Sequence, residues 1–402
     1  MAGIYLHIPF CRQACHYCNF HFSTSLERKN DFVAALLKEM ELQRHYIGSG
    51  LVETVYFGGG TPSLLSEDEL QRIMERLGTL FTLDANAEIT LEANPDDITL
   101  PGRLAAWKRA GINRLSIGVQ SFFDADLQWM NRVHNAGQAL ASIKMAQDEG
   151  LDNISIDLIY GTPTLSDVQW EANVRQATSL GIPHLSCYAL TVEPRTALDK
   201  MIHLKKKEGV NPDDQARQFV LLMDWLALAG YEHYEISNFA FPGKRSRHNS
   251  SYWQGKPYLG LGPSAHSYNG ERQRRWNVAN NALYIAQFLE ARAGTDAGGG
   301  GGGNAEGGSM SGGVEDLTPV QQLNEYIMIS LRTMEGCDLR LVAERFGEEA
   351  AATLFRQAER YVREGKMNAT AGSESRLILT REGKLLADGI AADLFFEEST
   401  AK

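Results

Sequence analysis

Ile4-Tyr5-Leu6-His7-Ile8-Pro9-Phe10 runs directly into Cys11-Arg12-Gln13-Ala14-Cys15-His16-Tyr17-Cys18, so three cysteines at C-x3-C-x2-C spacing follow a short apolar stretch. The apolar stretch predicts a strand over 3–8. Three thiolates on one tight loop can ligate three irons of a 4Fe-4S cluster and leave the fourth iron open to a small molecule. His21 extends the pattern to C-x3-C-x2-C-x2-H, which a zinc ion could also use. A disulfide framework fits poorly, because the loop cysteines are too close together and the remaining two, Cys187 and Cys337, stand alone.

From this loop outward the chain alternates between strand and helix patterns. Strands are predicted over 3–8, 51–57, 87–92, 114–120, 153–159 and 184–190, with helices over 26–46, 67–78, 101–110, 137–149 and 167–180 between them. Ser66 with Glu69 three residues later marks a capping box for the second helix. The period of roughly 30 residues is that of a β-α-β unit. Six such units predict an open or partial barrel of parallel strands, an α/β fold. Gly59, Glu92, Gln120, Asp157 and Tyr188 fall at or near the C-terminal ends of their strands, the face on which such barrels bind ligands. A glycine loop allows close backbone approach, a carboxylate can hold hydroxyl or ammonium groups, and polar groups can hold a carboxylate, so the set suits one shared ligand. Singly, Gly58–Gly60 could be a tight turn, and Glu92 or Asp157 a helix cap.

Tyr5-x-His7-Ile8-Pro9-Phe10-Cys11 with Cys15-x-Tyr17-Cys18-Asn19-Phe20, Asn131-Arg132-x-His134 and Ile156-Asp157-Leu158-Ile159-Tyr160-Gly161-x-Pro163 resemble the radical S-adenosylmethionine (radical SAM) superfamily. Within it, the chain resembles the branch of oxygen-independent coproporphyrinogen III oxidase and, more closely, the HemW-type heme chaperones. The oxidase motif carries a fourth cysteine where Phe20 stands. The resemblance implies a partial (β/α)6 radical SAM barrel with Cys11, Cys15 and Cys18 as cluster ligands and Tyr5 and Tyr17 beside them. It implies Gly58, Gly59, Gly60 and Thr61 at the methionine amino group of S-adenosylmethionine, with Glu92, Gln120, Arg132 and Asp157 lining the rest.

Past the barrel, a helix is predicted over 213–229, and His248-Asn249-Ser250-Ser251-Tyr252-Trp253 then reproduces an H-N-x-x-Y-W motif that the HemW type links to heme binding. A histidine can ligate heme iron, Tyr252 and Trp253 offer flat apolar faces, and Lys244, Arg245 and Arg247 could pair with propionates. Taken without the resemblance, such a cluster is more often a packed aromatic core holding a hydrogen-bonded His248.

The segment 294–313 holds 11 glycines without apolar periodicity and is expected to be a linker. The expected segments are therefore a barrel over 1–230, an extension with the heme motif over 231–293, the linker, and a C-terminal domain over 314–402. That domain predicts helices over 319–333, 338–346, 350–364 and 382–395 and a hairpin over 367–379, a winged-helix-like α+β module. Its residues 315–402 carry 16 acidic against 11 basic side chains, and the 402-residue chain has a net charge of -11, so a nucleic-acid partner is not expected. The absence of a signal-like N-terminus or of a long apolar run predicts a cytoplasmic protein without an integral membrane segment, with peripheral membrane contact left open. Expected ligands and partners are a 4Fe-4S cluster, S-adenosylmethionine, heme, a heme-acceptor protein and an electron donor. An oxidase that decarboxylates coproporphyrinogen III and a zinc-stabilised binding module are the alternatives.

Overall fold

A computed structural model describes residues 2–48, 50–290, 312–370 and 375–397. The chain divides into two compact units: 1–118 with 131–152 and 256–316, and 119–130 with 153–255 and 317–402. Residues 119–130 and 153–255 thus group with the C-terminal module and not with the cysteine loop. Most of the glycine-rich segment lies outside the described residues, although Gly312–Asp316 pairs as a strand with Gln273–Asn277.

In the first unit, β1 (Ala2–Ile8) pairs in parallel with β2 (Val52–Gly59), β2 with β3 (Leu83–Ala93), and β3 with β4 (Arg114–Gln120). On its other side β1 takes Tyr258–Leu261, again in parallel, before the sheet turns antiparallel through His266–Tyr268 and Gln273–Asn277. Residues two apart along a strand share one face of the sheet, and the face covered by helices must be apolar. Ile4, Leu6 and Ile8 are accordingly inaccessible, as are Val55 and Phe57 of β2 and Leu115 and Ile117 of β4. The helix Lys29–Gln43 covers the sheet with Phe32, Leu36 and Met40, and Glu67–Leu80 with Leu70, Ile73 and Leu77. The Ser66–Glu69 capping box is present: the Ser66 hydroxyl accepts from the Glu69 N–H and the Glu69 carboxylate from the Ser66 N–H.

One buried carboxylate ties this unit together. Glu39, inside the helix Lys29–Gln43, accepts from Tyr284 Oη (2.6 Å), Asn277 Nδ2 (2.6 Å) and the Gly262 N–H (2.8 Å). Gly262 sits at φ +96°, with the carbonyl of His7 2.4 Å from where a Cβ would be. The network therefore clamps the turn after Tyr258–Leu261 against the end of β1.

In the second unit, β5 (Ile154–Tyr160) and β6 (His184–Ala189) are parallel, and β6 continues antiparallel into Asn238–Ala240 and then Glu232–Glu235. The C-terminal module contains helices Pro319–Leu331, Leu339–Phe346 and Glu348–Arg363. Its three short strands run in the spatial order Cys337–Asp338, Arg376–Leu379, Met367–Ala369, all antiparallel. This is the winged-helix arrangement, packed around Leu323, Ile327, Val342, Leu354, Leu377 and Ile390. The helix expected over 382–395 is two, Arg381–Lys384 and Ala387–Asp393, broken at Leu385-Leu386. Sequence periodicity also missed the short helices Asp124–Met130, Ala197–His203 and Arg247–Trp253, whose seven residues span too few turns to show a stripe.

Candidate functional site around the cysteine loop

The loop carrying Cys11, Cys15 and Cys18 leaves β1 and is pinned at its ends by the Cys11 N–H to Ser23 O (3.0 Å) and the Ser23 N–H to Pro9 O (2.8 Å). Within it the Cys18 N–H donates to Cys15 O. Residues far away in sequence hold the rest. Asn131 Nδ2 donates to Ala14 O (2.8 Å), Gln13 Nε2 donates to Asn131 O (3.0 Å), and Arg12 pairs with the buried Asp97 at 2.6 Å, which Ser63 also contacts.

Arg132 reaches into this loop. Its guanidinium donates to Cys15 Sγ at 3.3 Å, to Asn94 Oδ1 at 2.7 Å and to Gly118 O at 3.0 Å, while its buried Nε has no partner among the described residues. Burial works against its charge, but the neighbouring Tyr17 and Cys15 more than offset that and hold it protonated. Thr61 Oγ1 donates to Cys11 Sγ (3.5 Å) and accepts from Asn94 Nδ2 (3.4 Å), so Asn94 links both contacts to the thiols. Burial first, and then the neighbouring thiols, push the Cys18 thiol up to about 11; Cys11 is raised by burial and by Cys15 against the opposing Thr61 contact. All three thiols therefore lie within electrostatic reach of one another. Among the described residues no three His, Cys, Asp or Glu side chains already stand in metal-holding geometry, so binding would draw the thiols together. The donor set nonetheless suits an iron-sulfur cluster: soft sulfur ligands with a buried cation to offset the thiolate charge.

The His21 of the zinc pattern is committed elsewhere. Its Nε2 is 2.7 Å from Asn281 Oδ1 and its ring stacks on His7, whose own Nε2 meets His21 O at 2.8 Å. That arrangement favours the three-thiol set over a Cys3His site.

Beside the loop, Gly58, Gly59 and Gly60 form a cradle for which each glycine is needed separately. A Cβ on Gly58 would lie 2.9 Å from both Tyr5 and Tyr56; one on Gly59, at φ +104°, would lie 2.6 Å from the His7 ring. On Gly60 it would meet backbone, 2.7 Å from Phe10 O and 2.8 Å from Ile8 O. Glu92 closes the cradle, accepting from Tyr56 Oη (2.8 Å) and the Gly59 N–H (3.2 Å). Tyr5 stacks on Tyr56, and burial followed by Glu92 raises its hydroxyl pKa, keeping it a neutral donor. Gly60→Ala is expected to destabilise the protein by about 2 kcal/mol or more, because backbone on two sides cannot yield as a side chain would. Chemical denaturation checks this, and an unchanged midpoint would show that the cradle is loose.

Residues 5–177 match the model of the radical SAM superfamily, and residues 317–386 that of the HemN C-terminal domain. Heme chaperone HemW of Bacillus subtilis (strain 168) is 32% identical over 392 residues, which cover 97% of this chain and 98% of that protein. The chain belongs to the HemW family of radical SAM proteins. Heme chaperone HemW of Mycobacterium tuberculosis (strain ATCC 25618 / H37Rv) is 35% identical over 98% of this chain and 94% of its own length, and that of Escherichia coli (strain K12) 38% identical over 66% and 69%. The solved coproporphyrinogen III oxidase of Escherichia coli, described as a radical SAM enzyme, superposes with a TM-score of 0.79 at 21% identity, covering 98% of this chain and 90% of the oxidase; it shares the fold. Membership in the superfamily implies a 4Fe-4S cluster and S-adenosylmethionine.

The HemW family assignment sets the remaining expected residues in context. Tyr5, Cys11, Cys15, Tyr17, Cys18, Gly58, Gly59, Gly60, Thr61, Glu92 and Arg132 are all in the first unit, joined by the contacts above. Gln120 and Asp157 belong to the second. Gln120 is buried at the end of β4 with φ +66°, a conformation rare outside glycine, while Asp157 lies mid-strand in β5, opposite Ser186. The H-N-x-x-Y-W residues form the helix Arg247–Trp253, capped by Ser246. His248 is 1% exposed, with Nε2 2.9 Å from Tyr252 Oη. Asn249 and Tyr252 are half-buried, and Trp253 lies under the Arg332 guanidinium at 5.5 Å. Arg245 is already paired, to Glu335 (2.6 Å) and Glu232 (3.1 Å). Asn94, Asn131 and Asp97 escaped notice as contacts of the loop because nothing local distinguishes a polar residue that meets the cysteines only after folding. Among the described residues no helix is long and apolar enough to cross a membrane.

Proposed function

We propose that the protein is a heme chaperone that holds a 4Fe-4S cluster through Cys11, Cys15 and Cys18, binds S-adenosylmethionine in the adjoining cradle, and carries heme to an acceptor protein. The similarity to HemW proteins along nearly the whole of both chains carries this reading. Phe20, standing where the resembling oxidase has a fourth cysteine, points the same way. A bound cluster supplies one-electron reducing power next to an open iron position. The chain's own residues prepare that position. Arg132 offsets thiolate charge at Cys15, the Gly58–Gly60 backbone gives an amino-acid head close access, and Glu92 supplies a carboxylate facing it.

The oxidase reading is separated by product. Anaerobic protein with a reconstituted cluster, S-adenosylmethionine and a reductant is expected to leave coproporphyrinogen III unchanged while binding hemin with a defined Soret band. Decarboxylated product at a catalytic rate would make the protein an oxidase, and failure to bind hemin would remove the chaperone reading.

A further inference from the structure

Asn94 follows the last residue of β3 and stands at the N-cap position of the four-residue helix Pro95–Ile98. Asparagine in that place ordinarily turns its side chain back to accept from the first N–H groups of the helix. This one does not. Its side chain makes no cap hydrogen bond, and its backbone carbonyl alone accepts from the N–H groups of Asp97 (3.0 Å) and Ile98 (3.3 Å). The amide is turned to the cysteine loop instead, with one end on Arg132 and the other on Thr61.

Those two neighbours fix the polarity of the amide. A guanidinium has donors and no acceptor, so the Asn94 atom 2.7 Å from Arg132 Nη2 must be the carbonyl Oδ1. Nδ2 then faces Thr61 Oγ1 at 3.4 Å and can only donate to it. A hydroxyl carries a single hydrogen, and with Asn94 donating to the buried Thr61 oxygen that hydrogen goes to Cys11 Sγ, 3.5 Å away. Three contacts therefore run in one direction, from the Arg132 guanidinium through Asn94 and Thr61 to the Cys11 sulfur. The other guanidinium nitrogen, Nη1, meets Cys15 Sγ at 3.3 Å.

Resting on the proposed cluster at Cys11, Cys15 and Cys18, we infer that Asn94 is a positioning residue that keeps the Thr61 hydroxyl donating to Cys11 and thereby raises the reduction potential of the cluster held there. Hydrogen bonds to the ligating sulfurs are among the quantities that set such a potential, and donors favour the reduced, more negative state. Asn94 itself touches no thiol and acts through Thr61 and Arg132. A purely structural asparagine would tolerate aspartate, which is nearly the same size and caps a helix as well. The relay would not tolerate it, because a carboxylate only accepts and would draw the Thr61 hydrogen away from Cys11.

Redox titration of the reconstituted full chain, followed by electron paramagnetic resonance, tests this. Asn94→Asp is expected to keep the iron and sulfide content of the parent and to make reduction about tenfold less favourable, a shift of about 59 mV to lower potential for one electron. The added negative charge would act in the same direction, so Thr61→Val, which keeps the shape and removes the hydrogen, separates the two effects. Thr61→Val should lower the potential in the parent protein but not in the Asn94→Asp background, where Thr61 no longer donates to Cys11. Equal shifts by Thr61→Val in both backgrounds would overturn the relay, as would an unmoved potential in Thr61→Val alone. Where Asn94→Asp assembles no cluster, Thr61→Val in the parent decides by the same criterion. If the parent protein assembles no cluster, the cluster reading falls and this inference with it; a parent cluster whose potential ignores Thr61 sinks the relay alone.

Discussion

Cys15→Ala is expected to abolish the iron-sulfur absorbance of anaerobically reconstituted protein, and Cys11→Ala and Cys18→Ala should do the same. Two thiolates cannot hold a cubane that normally has three or four, and the nearby His21 is engaged with Asn281. The other two cysteines provide the control. Cys337 is inaccessible within the C-terminal core, and burial pushes its thiol up to about 12; Cys187 is buried in β6 and raised by burial and then by Asp157. Neutral thiols packed in apolar surroundings are poor ligands. Cys337→Ala is therefore expected to keep full iron and sulfide content at a small cost in stability. Retention of a complete cluster in Cys15→Ala, or its loss in Cys337→Ala, would contradict the ligand assignment.

Glu39→Ala should be among the most destabilising single changes outside the apolar core, at about 3 kcal/mol or more, because it strands three donors at once. Tyr284 Oη, Asn277 Nδ2 and the Gly262 N–H all lose their acceptor in a site that water does not reach. Glu39→Gln keeps one carbonyl acceptor and should cost less. The same residue makes stability depend on pH. Burial raises the Glu39 pKa to about 7 against the lowering influence of its three donors, so between about pH 4.5 and 7 the folded state holds a proton that the unfolded chain has released. This contribution is present in full below about pH 4.5 and is lost as pH rises towards 7. Denaturation at a series of pH values should show a flatter slope over that window in Glu39→Gln. A parallel slope would place the titration elsewhere.

The sequence by itself determined the features that depend on neighbours along the chain. The strands of the parallel sheet were legible because apolar residues recur at every second position, as at Leu115, Ile117 and Val119 or Ile154, Ile156 and Leu158, and the capping box because its partners are three residues apart. The cysteine loop was legible because its ligands lie within eight residues, and the winged-helix order because its helices carry apolar stripes. Tertiary structure alone decided which distant groups those elements meet. Arg132 contacts Cys15 across 117 residues, and Glu39 meets Tyr284 across 245. Strand pairing, not any local pattern, brings such residues within reach. The same holds for exposure. The H-N-x-x-Y-W string does not show that His248 is buried, whereas in the helix Arg247–Trp253 its Nε2 lies 2.9 Å from Tyr252 Oη. Lys384, Leu385 and Leu386 were expected near the start of one helix over 382–395. The chain breaks at Leu385-Leu386 between two short helices and leaves both leucines more than a third exposed.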